Sequence, residues 1–439
     1  MKSPAHTTTA TSRTPQENLD LVKAGLPKRY RAERRFRYYG LAGVVAGLLF
    51  LGYFFSTIVV DGASAFTQTY VQLEIYYDPE EIDPDETGDP GIWAKANYAK
   101  LVKTSMLELF PGVSGRKNQR ALTGLVSGGA PYLIQENLVK NPGLLGQTAA
   151  IWVPADDEVD MFMKGKIDRE MPEAQRRIKD QQILWIDQLD SESLLRSQFN
   201  TLFFTSGDSR DPEMAGILAA MKGSFFMLLV TFLVAFPLGV AASIYLEEFA
   251  PRNRWIDLLE VNVNNLAAVP SVIYGLLGLA VFINFMQMPR SAPLVGGLVL
   301  ALMTLPVIII AGRSAIRAVP PSIREAALGL GASDVQTVFH HVLPLAMPGL
   351  MTGAIIGMAR ALGETAPLLM IGMVAFIVEV PGTPLDPSTA LPVQIYLWAD
   401  SPERAFVERT AAAIIVLLTF LLMMNGLAVW LRQRYERRW

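Results

Sequence analysis

Long apolar stretches recur along this chain, and each has a length suited to crossing a lipid bilayer as a helix. About 20 mostly apolar residues in a helix span the hydrocarbon core. The hydrophobic pattern predicts six such spans, at residues 38–60, 216–246, 264–286, 294–312, 346–377 and 410–431. Internal prolines such as Pro237, Pro270 and Pro306 fit bundled membrane helices, whose neighbours satisfy the freed backbone groups. The pattern therefore predicts an all-α integral membrane protein with six transmembrane helices.

Basic residues flank the first and the last span. Those before the first are Lys28, Arg29, Arg31, Arg34, Arg35 and Arg37, and those after the last are Arg432, Arg434, Arg437 and Arg438. Because Lys and Arg concentrate on the cytoplasmic side of membrane proteins, both termini are expected in the cytoplasm. An even number of spans also requires both termini to lie on the same side of the membrane. The basic loops at 247–263 and 313–345 then also lie inside.

The spans divide the chain into five predicted parts. These are a basic cytoplasmic N-terminus (1–37), transmembrane helix 1 (38–60), an extracytoplasmic insert (61–215), a core of five further spans with a cytoplasmic loop at 313–345 (216–434) and a cytoplasmic tail (435–439). Ala63-Ser64-Ala65 imitates a signal-peptidase site. Since the apolar run before it is longer than the core of a signal peptide, we expect an uncleaved anchor.

The insert is predicted to be a small α+β domain. It is acidic, with 25 Asp and Glu against 15 Lys and Arg, yet it contains recurring aliphatic and aromatic clusters. Residues 71–76 alternate as a strand does. Residues 95–109, 117–140 and 172–200 have the periodicity of amphipathic helices. The acidic run 78–89 lacks the ligand spacing of a calcium loop, so we interpret it as a solvated turn.

Composition excludes several classes of function. Hydrophobic residues make up 51% of the chain, cysteine is absent and there are three histidines, His6, His340 and His341. Thiolate chemistry is therefore excluded, and no metal site is expected. The sequence contains no phosphate-binding loop and no recognisable catalytic motif. We expect no catalytic residue, no cofactor on this chain and no nucleic-acid partner.

Two charges lie within the fifth predicted span, at Arg360 and Glu364. Charged residues inside a membrane are costly and often functional. Spaced i, i+4, the two can form an ion pair on one helix face, which could serve only to fix helix packing. Alternatively, the planar guanidinium of Arg360 suits a tetrahedral oxyanion, and the Glu364 carboxylate can accept a hydrogen bond from a protonated one.

The loop at 313–345 is predicted to form a helix–turn–helix on the cytoplasmic face. Ala326 and Ala327 favour helix, Gly329 and Gly331 allow a break, and Ser333 can cap a second short helix. Pro344 is expected to end that helix. By itself, this segment could be an ordinary amphipathic connector.

The spacing within this loop resembles that of ABC importer permeases. Glu325-Ala326-Ala327, then Gly331, then Leu343-Pro344 matches the conserved cytoplasmic loop of that family, although His341 stands where an aliphatic residue is usual. The resemblance implies that Glu325, Ala326, Ala327, Gly331, Leu343 and Pro344 form the element that couples the chain to a separate ATPase. ATP would then be bound by that partner.

Three further segments resemble the PstA-type permeases of bacterial phosphate importers: 236–246, 265–275 and 360–367. This resemblance implies a path for inorganic phosphate that includes Arg360, Glu364 and Thr365. It also implies residence in the bacterial cytoplasmic (inner) membrane. The implied partners are a homologous PstC-type permease, a PstB-type ATPase dimer and an extracytoplasmic phosphate-binding protein.

Two alternatives remain open from the sequence. The chain could carry another oxyanion or solute, or it could be a membrane sensor whose insert detects a signal. The insert's own ligand cannot be deduced. Asn262, Asn264 and Asn265, at the start of the third predicted span, are expected to form interhelical hydrogen bonds. His340 and His341 are expected to make packing or polar contacts.

Overall fold

A computed structural model describes residues 15–435 of the 439-residue chain. Two predicted regions lie outside the described residues. They are residues 1–14, which include His6, and most of the tail at 435–439, which includes Arg437 and Arg438. The chain divides into two compact units, Met1–Ile58 and Val59–Trp439, which are described separately below. Most of the described residues are helical, and the strands are confined to the insert.

The first unit consists, where it is described, of one continuous helix that extends into the second unit. This helix, α1, comprises Pro15–Ala63 and has 49 residues. It is therefore longer than the predicted span at 38–60, because the basic residues before the span are also helical. Lys, Arg, Glu and Ala are good helix formers, which explains the extension. The Nε of Arg31 also donates to the Pro27 carbonyl at 3.3 Å.

The insert contains a three-stranded antiparallel sheet in the order β2-β1-β3. The strands are β1 (Thr67–Tyr76), β2 (Thr148–Pro154) and β3 (Leu195–Phe199). Leu73 of β1 lies opposite Ile151 of β2, and Val71 lies between Val153 and Leu195. The predicted strand at 71–76 therefore lies within the central strand. Alternating side chains of β1 contribute Val71, Leu73 and Ile75 to the insert's hydrophobic core.

Short helices cover this sheet. They are α2 (Pro79–Ile82), α3 (Pro90–Trp93), α4 (Tyr98–Leu109), α5 (Arg116–Thr123), α6 (Ala130–Lys140), α7 (Asp157–Met163), α8 (Asp180–Ser191) and α9 (Thr201–Thr205). The predicted helix at 117–140 is wrong as one element, because Gly124, Gly128 and Gly129 lie in the turn that separates α5 from α6. The prediction at 172–200 is also too long, since the chain enters β3 soon after α8.

The acidic segment 78–89 forms turns organised by Asp83. The Asp83 carboxylate accepts hydrogen bonds from the Thr87 and Gly88 amides at 2.9 and 2.7 Å and from Trp93 Nε1 at 3.2 Å. Burial alone would raise the pKa of Asp83, but these donors outweigh it and lower the pKa to about 2. Within the described residues, no group of His, Cys, Asp or Glu side chains could hold a metal ion.

Five helices in the described part of the chain are long and apolar enough to cross a membrane. They comprise Lys23–Phe66, Leu218–Phe249, Pro293–Arg317, Asp334–Gly363 and Ala405–Arg434. A further apolar pair, Arg254–Ala267 and Ser271–Phe285, is bent by 101°. If the bent pair counts as one span, the total is the predicted six.

The helices of the core are α10 (Leu218–Ile244), α11 (Arg254–Ala267), α12 (Ser271–Gly278), α13 (Pro293–Arg317), α14 (Pro321–Gly329), α15 (Asp334–Thr337), α16 (Leu343–Gly363), α17 (Ala366–Met370), α18 (Leu391–Ala399) and α19 (Ala405–Tyr435). Small residues allow α10 and α13 to pack closely. A Cβ added at Gly239 would lie 2.6 Å from Ile308, and one at Gly297 would lie 2.6 Å from Val230. This is the close approach that small residues provide in membrane bundles.

Two predicted spans differ from the observed helices. The span at 264–286 is not one straight helix, because Pro270 separates α11 from α12 at the 101° bend. The span at 346–377 ends early, because α16 stops at Gly363 and the short α17 follows a break at Glu364 and Thr365. Apolar residues lie on both sides of each break, so hydropathy alone does not reveal them.

Buried charges attach the insert to the start of α19. Lys164, next to α7, contacts Asp160 at 2.5 Å and Glu408 at 3.4 Å, while Lys166 contacts Glu408 at 2.6 Å. Arg409 is buried and lies over the Phe203 ring at 5.8 Å. Burial also raises the pKa of nearby Glu213 to about 7.

Candidate functional site

The cytoplasmic loop predicted at 313–345 consists of α14, a tight turn and α15. Gly331 forms the turn with a φ of +89°, a backbone conformation that residues other than glycine rarely adopt. Ser333 then caps α15 in a reciprocal arrangement with Gln336, whose side chain accepts from the Ser333 amide at 3.0 Å. The predicted helix–turn–helix is thus present, and local residues account for its turn.

Pro344 does not end the second helix, contrary to the prediction. The chain stays helical from Asp334 to Gly363, and residues 338–342 widen into a π-helical turn just before Leu343 and Pro344. A proline has no amide hydrogen, and its ring clashes with the carbonyl four residues earlier. A local π-helical turn accommodates such a residue without breaking the helix. The loop therefore continues directly into α16.

The loop presents an apolar surface. Within α14, Glu325 and Ala326 are exposed, whereas Ala327 is buried. Leu330 is 91% exposed. Together with exposed Leu328, Val335 and Phe339 it forms what we call the loop surface. His340 and His341 are exposed beside it.

Arg324 fastens α14 to two other helices. Its guanidinium donates to both Glu248 carboxylate oxygens, at 2.6 and 3.1 Å from Oε1 and 3.3 Å from Oε2. It also donates to the carbonyls of Val319 and Ile316 at 2.7 and 2.9 Å. Glu248 lies at the end of the helix that begins with α10, the Ile316 carbonyl lies in the last turn of α13, and Val319 follows just after α13. We call this set of contacts the Arg324 clamp.

A second ion-pair group lies at the same end of the core. Arg313 contacts Glu247 at 2.7 Å and Glu260 at 2.6 Å, and Arg317 contacts Glu247 at 2.6 Å. These pairs join α10, α11 and α13. From the sequence, these arginines indicated only the orientation of the loops, and their acidic partners were not predicted. The adjacent acids Glu247 and Glu248, directly after an apolar span, are the signal that could have indicated them.

Arg360, Glu364 and Thr365 lie together at the break between α16 and α17. Arg360 is in the last turn of α16, whereas Glu364 is extended, with φ −82° and ψ 119°. The two are therefore not on one helix face as predicted, yet Arg360 Nε still lies 3.4 Å from Glu364 Oε1. The Arg360 side chain is 44% exposed in this chain. Within this chain the guanidinium is therefore only partly covered, whereas the Glu364 side chain is 21% exposed.

Thr365 precedes α17 without capping it by its side chain. Its carbonyl instead accepts from the amides of Leu368 and Leu369, both at 3.1 Å. Its half-buried side chain is next to Glu364 in sequence. A guanidinium, a carboxylate and a hydroxyl thus gather at one break, a combination that can bind a partly protonated oxyanion.

The bend between α11 and α12 packs against this same break. A Cβ added at Gly275 would lie 2.7 Å from Pro367 Cα and 2.9 Å from its carbonyl oxygen. Buried Tyr274 donates its hydroxyl to the Leu266 carbonyl at 2.7 Å, across the bend. Two of the three segments that carried the resemblance, 265–275 and 360–367, therefore meet in space.

The asparagines near this bend behave differently from the prediction. Asn262 Nδ2 donates to the Leu258 carbonyl at 2.8 Å, which lies in the same helix, α11. The prediction of an interhelical hydrogen bond for Asn262 is therefore wrong. Asn262, Asn264 and Asn265 are all exposed on α11, before the bend rather than at the start of a straight span.

Comparison with known proteins gives two family matches. A model described as "Binding-protein-dependent transport system inner membrane component" matches residues 214–437, just over half of the chain. A model described as "Domain of unknown function (DUF3333)" matches residues 23–173. The first match contains both breaks and the loop, and the second contains most of α1 and most of the insert.

Several curated proteins are similar to this chain. "Probable ABC transporter permease protein YqgI" of Bacillus subtilis (strain 168) is 36% identical over 39% of this chain, and the match spans 58% of that protein. "Phosphate transport system permease protein PstA 1" of Mycobacterium tuberculosis (strain CDC 1551 / Oshkosh) is 31% identical over 51% of this chain and 72% of its own length. Among solved structures, the MetNI methionine ABC transporter matches 50% of this chain and 97% of its own, with 18% identity and a TM-score of 0.42.

The contact between Gly275 and Pro367 yields a prediction about stability. In Gly275→Ala, the added methyl group meets backbone atoms and forces α12 and α17 apart, at a cost of about 1–3 kcal/mol. We expect the thermal unfolding midpoint of the purified protein in detergent to fall by several degrees. Gly363→Ala is the matched control, because a Cβ there meets nothing within 4 Å. Equal midpoints for the two variants would contradict the close packing of the breaks.

Proposed function

Since the chain belongs to the family of binding-protein-dependent transport system inner membrane components, we propose that it is the permease subunit of an ATP-driven phosphate importer. It would form part of the path for inorganic phosphate across the bacterial inner membrane. Both ends of the chain would lie in the cytoplasm and the insert outside. The similarity to PstA-type permeases supports phosphate as the substrate.

The meeting of two broken helices at Arg360 carries this proposal. Transporters commonly build substrate sites where membrane helices are discontinuous, because backbone and side-chain groups are free to bind there. Here the bend at Pro270 and the break at Glu364 pack together through Gly275 and Pro367. The exposed guanidinium of Arg360 is at this place.

Arg360 and Glu364 would select phosphate by its charge and its protons. At neutral pH inorganic phosphate retains one or two protons, whereas sulfate has none. The Arg360 guanidinium would attract either anion. The Glu364 carboxylate would accept a hydrogen bond from a phosphate hydroxyl and repel a fully ionised oxyanion. Thr365 can donate or accept a further hydrogen bond.

The loop surface would receive a separate ATPase. We found no nucleotide-binding motif in the sequence, so a PstB-type ATPase dimer would bind ATP. Leu330 and Phe339 are exposed apolar side chains suited to a groove on such a partner. A homologous PstC-type permease would complete the path, and an extracytoplasmic binding protein would deliver phosphate. No cofactor on this chain is required.

The Arg324 clamp would carry the movement of the ATPase into the bundle. It ties α14 to the ends of the helices that begin with α10 and α13, while α15 continues without interruption into α16. A displacement of the loop would therefore move these helices together. ATP binding and release would bias the bundle between outward and inward access.

Arg360→Ala tests the substrate path. We expect ATP-dependent uptake of labelled phosphate to fall at least about tenfold, the effect of losing a charge-assisted hydrogen bond. The assay uses cells that lack their own high-affinity importer and supplies the partner permease, ATPase and binding protein. Arg290→Ala, which removes an exposed arginine elsewhere, is the control. Full uptake by Arg360→Ala would remove Arg360 from the path, and no uptake by the intact complex would favour another solute.

Glu364→Gln tests the selection of protonated oxyanions. The amide of glutamine can donate to sulfate, so the repulsion that excludes sulfate is lost. We expect the preference for phosphate over sulfate to drop about tenfold or more, measured as sulfate competition against labelled phosphate uptake. Unchanged discrimination would refute the role assigned to the Glu364 carboxylate.

Arg324→Ala and Glu248→Ala test the clamp. We expect each variant to hydrolyse at least about fivefold more ATP per phosphate transported, because loop movement no longer reaches the bundle fully. The exchange of charges in Arg324→Glu/Glu248→Arg should restore part of the coupling. Arg252→Ala, which removes an exposed arginine from the neighbouring loop, is the control. If hydrolysis and transport fell in parallel, with the ATPase still bound, the clamp would have no coupling role.

A further inference from the structure

The N-terminal part of α1 carries an unusual density of positive charge next to its apolar part. Between residues 28 and 37 there are six cations, Lys28, Arg29, Arg31, Arg34, Arg35 and Arg37, and one acid, Glu33. All ten residues are exposed and all are helical. The apolar segment follows immediately. We call residues 28–37 the basic collar.

We propose that the basic collar binds the anionic headgroups of phospholipids in the membrane leaflet next to Arg37. Cations directly beside a membrane span are attracted to anionic lipid, and their long side chains reach the headgroups. The proposal concerns α1 alone and does not depend on the transported solute.

Aromatic residues place the collar at headgroup depth. Phe36, Tyr38 and Tyr39 are exposed where the apolar segment 38–60 begins, and Tyr53, Phe54 and Phe55 are exposed within about two turns of its other end. Aromatic side chains gather at the two membrane interfaces. From Phe36 to Phe55 a helix rises about 28 Å, close to the roughly 30 Å of hydrocarbon. Arg34, Arg35 and Arg37 are then level with the headgroups.

The distribution of the cations around the helix favours lipid over a protein partner. Successive residues turn by about 100°, so Lys28 and Arg37 lie on opposite sides of α1, about 180° apart. Arg29, Arg31 and Arg34 fall at about 100°, 300° and 240° from Lys28. A protein groove would contact one face of the helix. Headgroups surround a helix on all sides, which matches this distribution.

The continuous helix also fixes the heights of the outer cations. Lys28 lies about 14 Å along the axis from Arg37. That distance is nearly two Debye lengths, since one Debye length in physiological salt is about 8 Å. Arg34, Arg35 and Arg37 should therefore contribute most to lipid binding, and Lys28 least.

The test measures which lipids the full-length chain retains. The protein is reconstituted in nanodiscs with equal amounts of spin-labelled phosphatidylglycerol or phosphatidylcholine in a phosphatidylcholine background. We expect the chain to prefer the anionic lipid, and we expect salt to weaken that preference. In Arg34→Gln/Arg35→Gln/Arg37→Gln, the preference should fall by at least about fivefold, the contribution of one such cation near a charged surface.

A matched variant and a topology probe complete the design. Lys95→Gln/Lys103→Gln/Lys117→Gln removes three exposed cations from the insert and should leave the lipid preference unchanged. Because the chain has no cysteine, one introduced cysteine reports whether the variant keeps its orientation in cells. The variant keeps the cations Lys28, Arg29 and Arg31, which maintain this orientation.

Two results would overturn the proposal. One is an unchanged preference for phosphatidylglycerol in the Arg34/Arg35/Arg37 variant. The other is an equal affinity of the intact chain for both lipids. If the variant then also binds the ATPase more weakly, the basic collar belongs to a protein partner instead.

Discussion

Backbone groups freed inside a membrane have to be satisfied by the protein itself, and this constraint shapes the centre of the core. Two helices are interrupted there, at Pro270 and at Glu364-Thr365. The structure meets the constraint locally at each interruption: Tyr274 donates to the Leu266 carbonyl across the bend, and the Thr365 carbonyl accepts from the first amides of α17. Gly275 then lets the two interruptions pack together. Arg360 therefore lies where the interrupted backbone already has hydrogen-bond partners within the chain.

The helix that contains Arg360 near its end begins in the loop at 313–345. Asp334–Gly363 is continuous, so Ser333, which caps it, and Arg360, near its far end, belong to one rigid element about 40 Å long. A movement of the loop therefore reaches the charged break without passing through a flexible linker. The Arg324 clamp gives the loop a second attachment, to α10 and α13. Arg360 and the loop therefore lie near the two ends of one continuous helix.

Local sequence signals predicted the loop well but the breaks poorly. Gly331 and Ser333 determine the turn by their own backbone and side-chain preferences, so their positions could be inferred from sequence. Pro270 was identified, but proline is tolerated in membrane helices, and the helix does continue through Pro237 and Pro306. Whether a proline bends a helix depends on its neighbours. The partners of Arg324 and Arg313 are distant in sequence, so one sequence without related ones could not reveal them.

The insert illustrates the same division between local and distant information. The alternation in residues 71–76 was enough to predict a strand. The acidic composition of the insert, however, did not indicate where the insert attaches to the rest of the chain. In the structure, Lys164 and Lys166 converge on Glu408, and Trp398 donates to Asp208 at 2.9 Å. Buried ion pairs are costly to break by removing one partner. Side-chain contacts therefore fix the insert to α18 and α19, in addition to the two chain connections at its ends. A force applied to the insert consequently acts on α19.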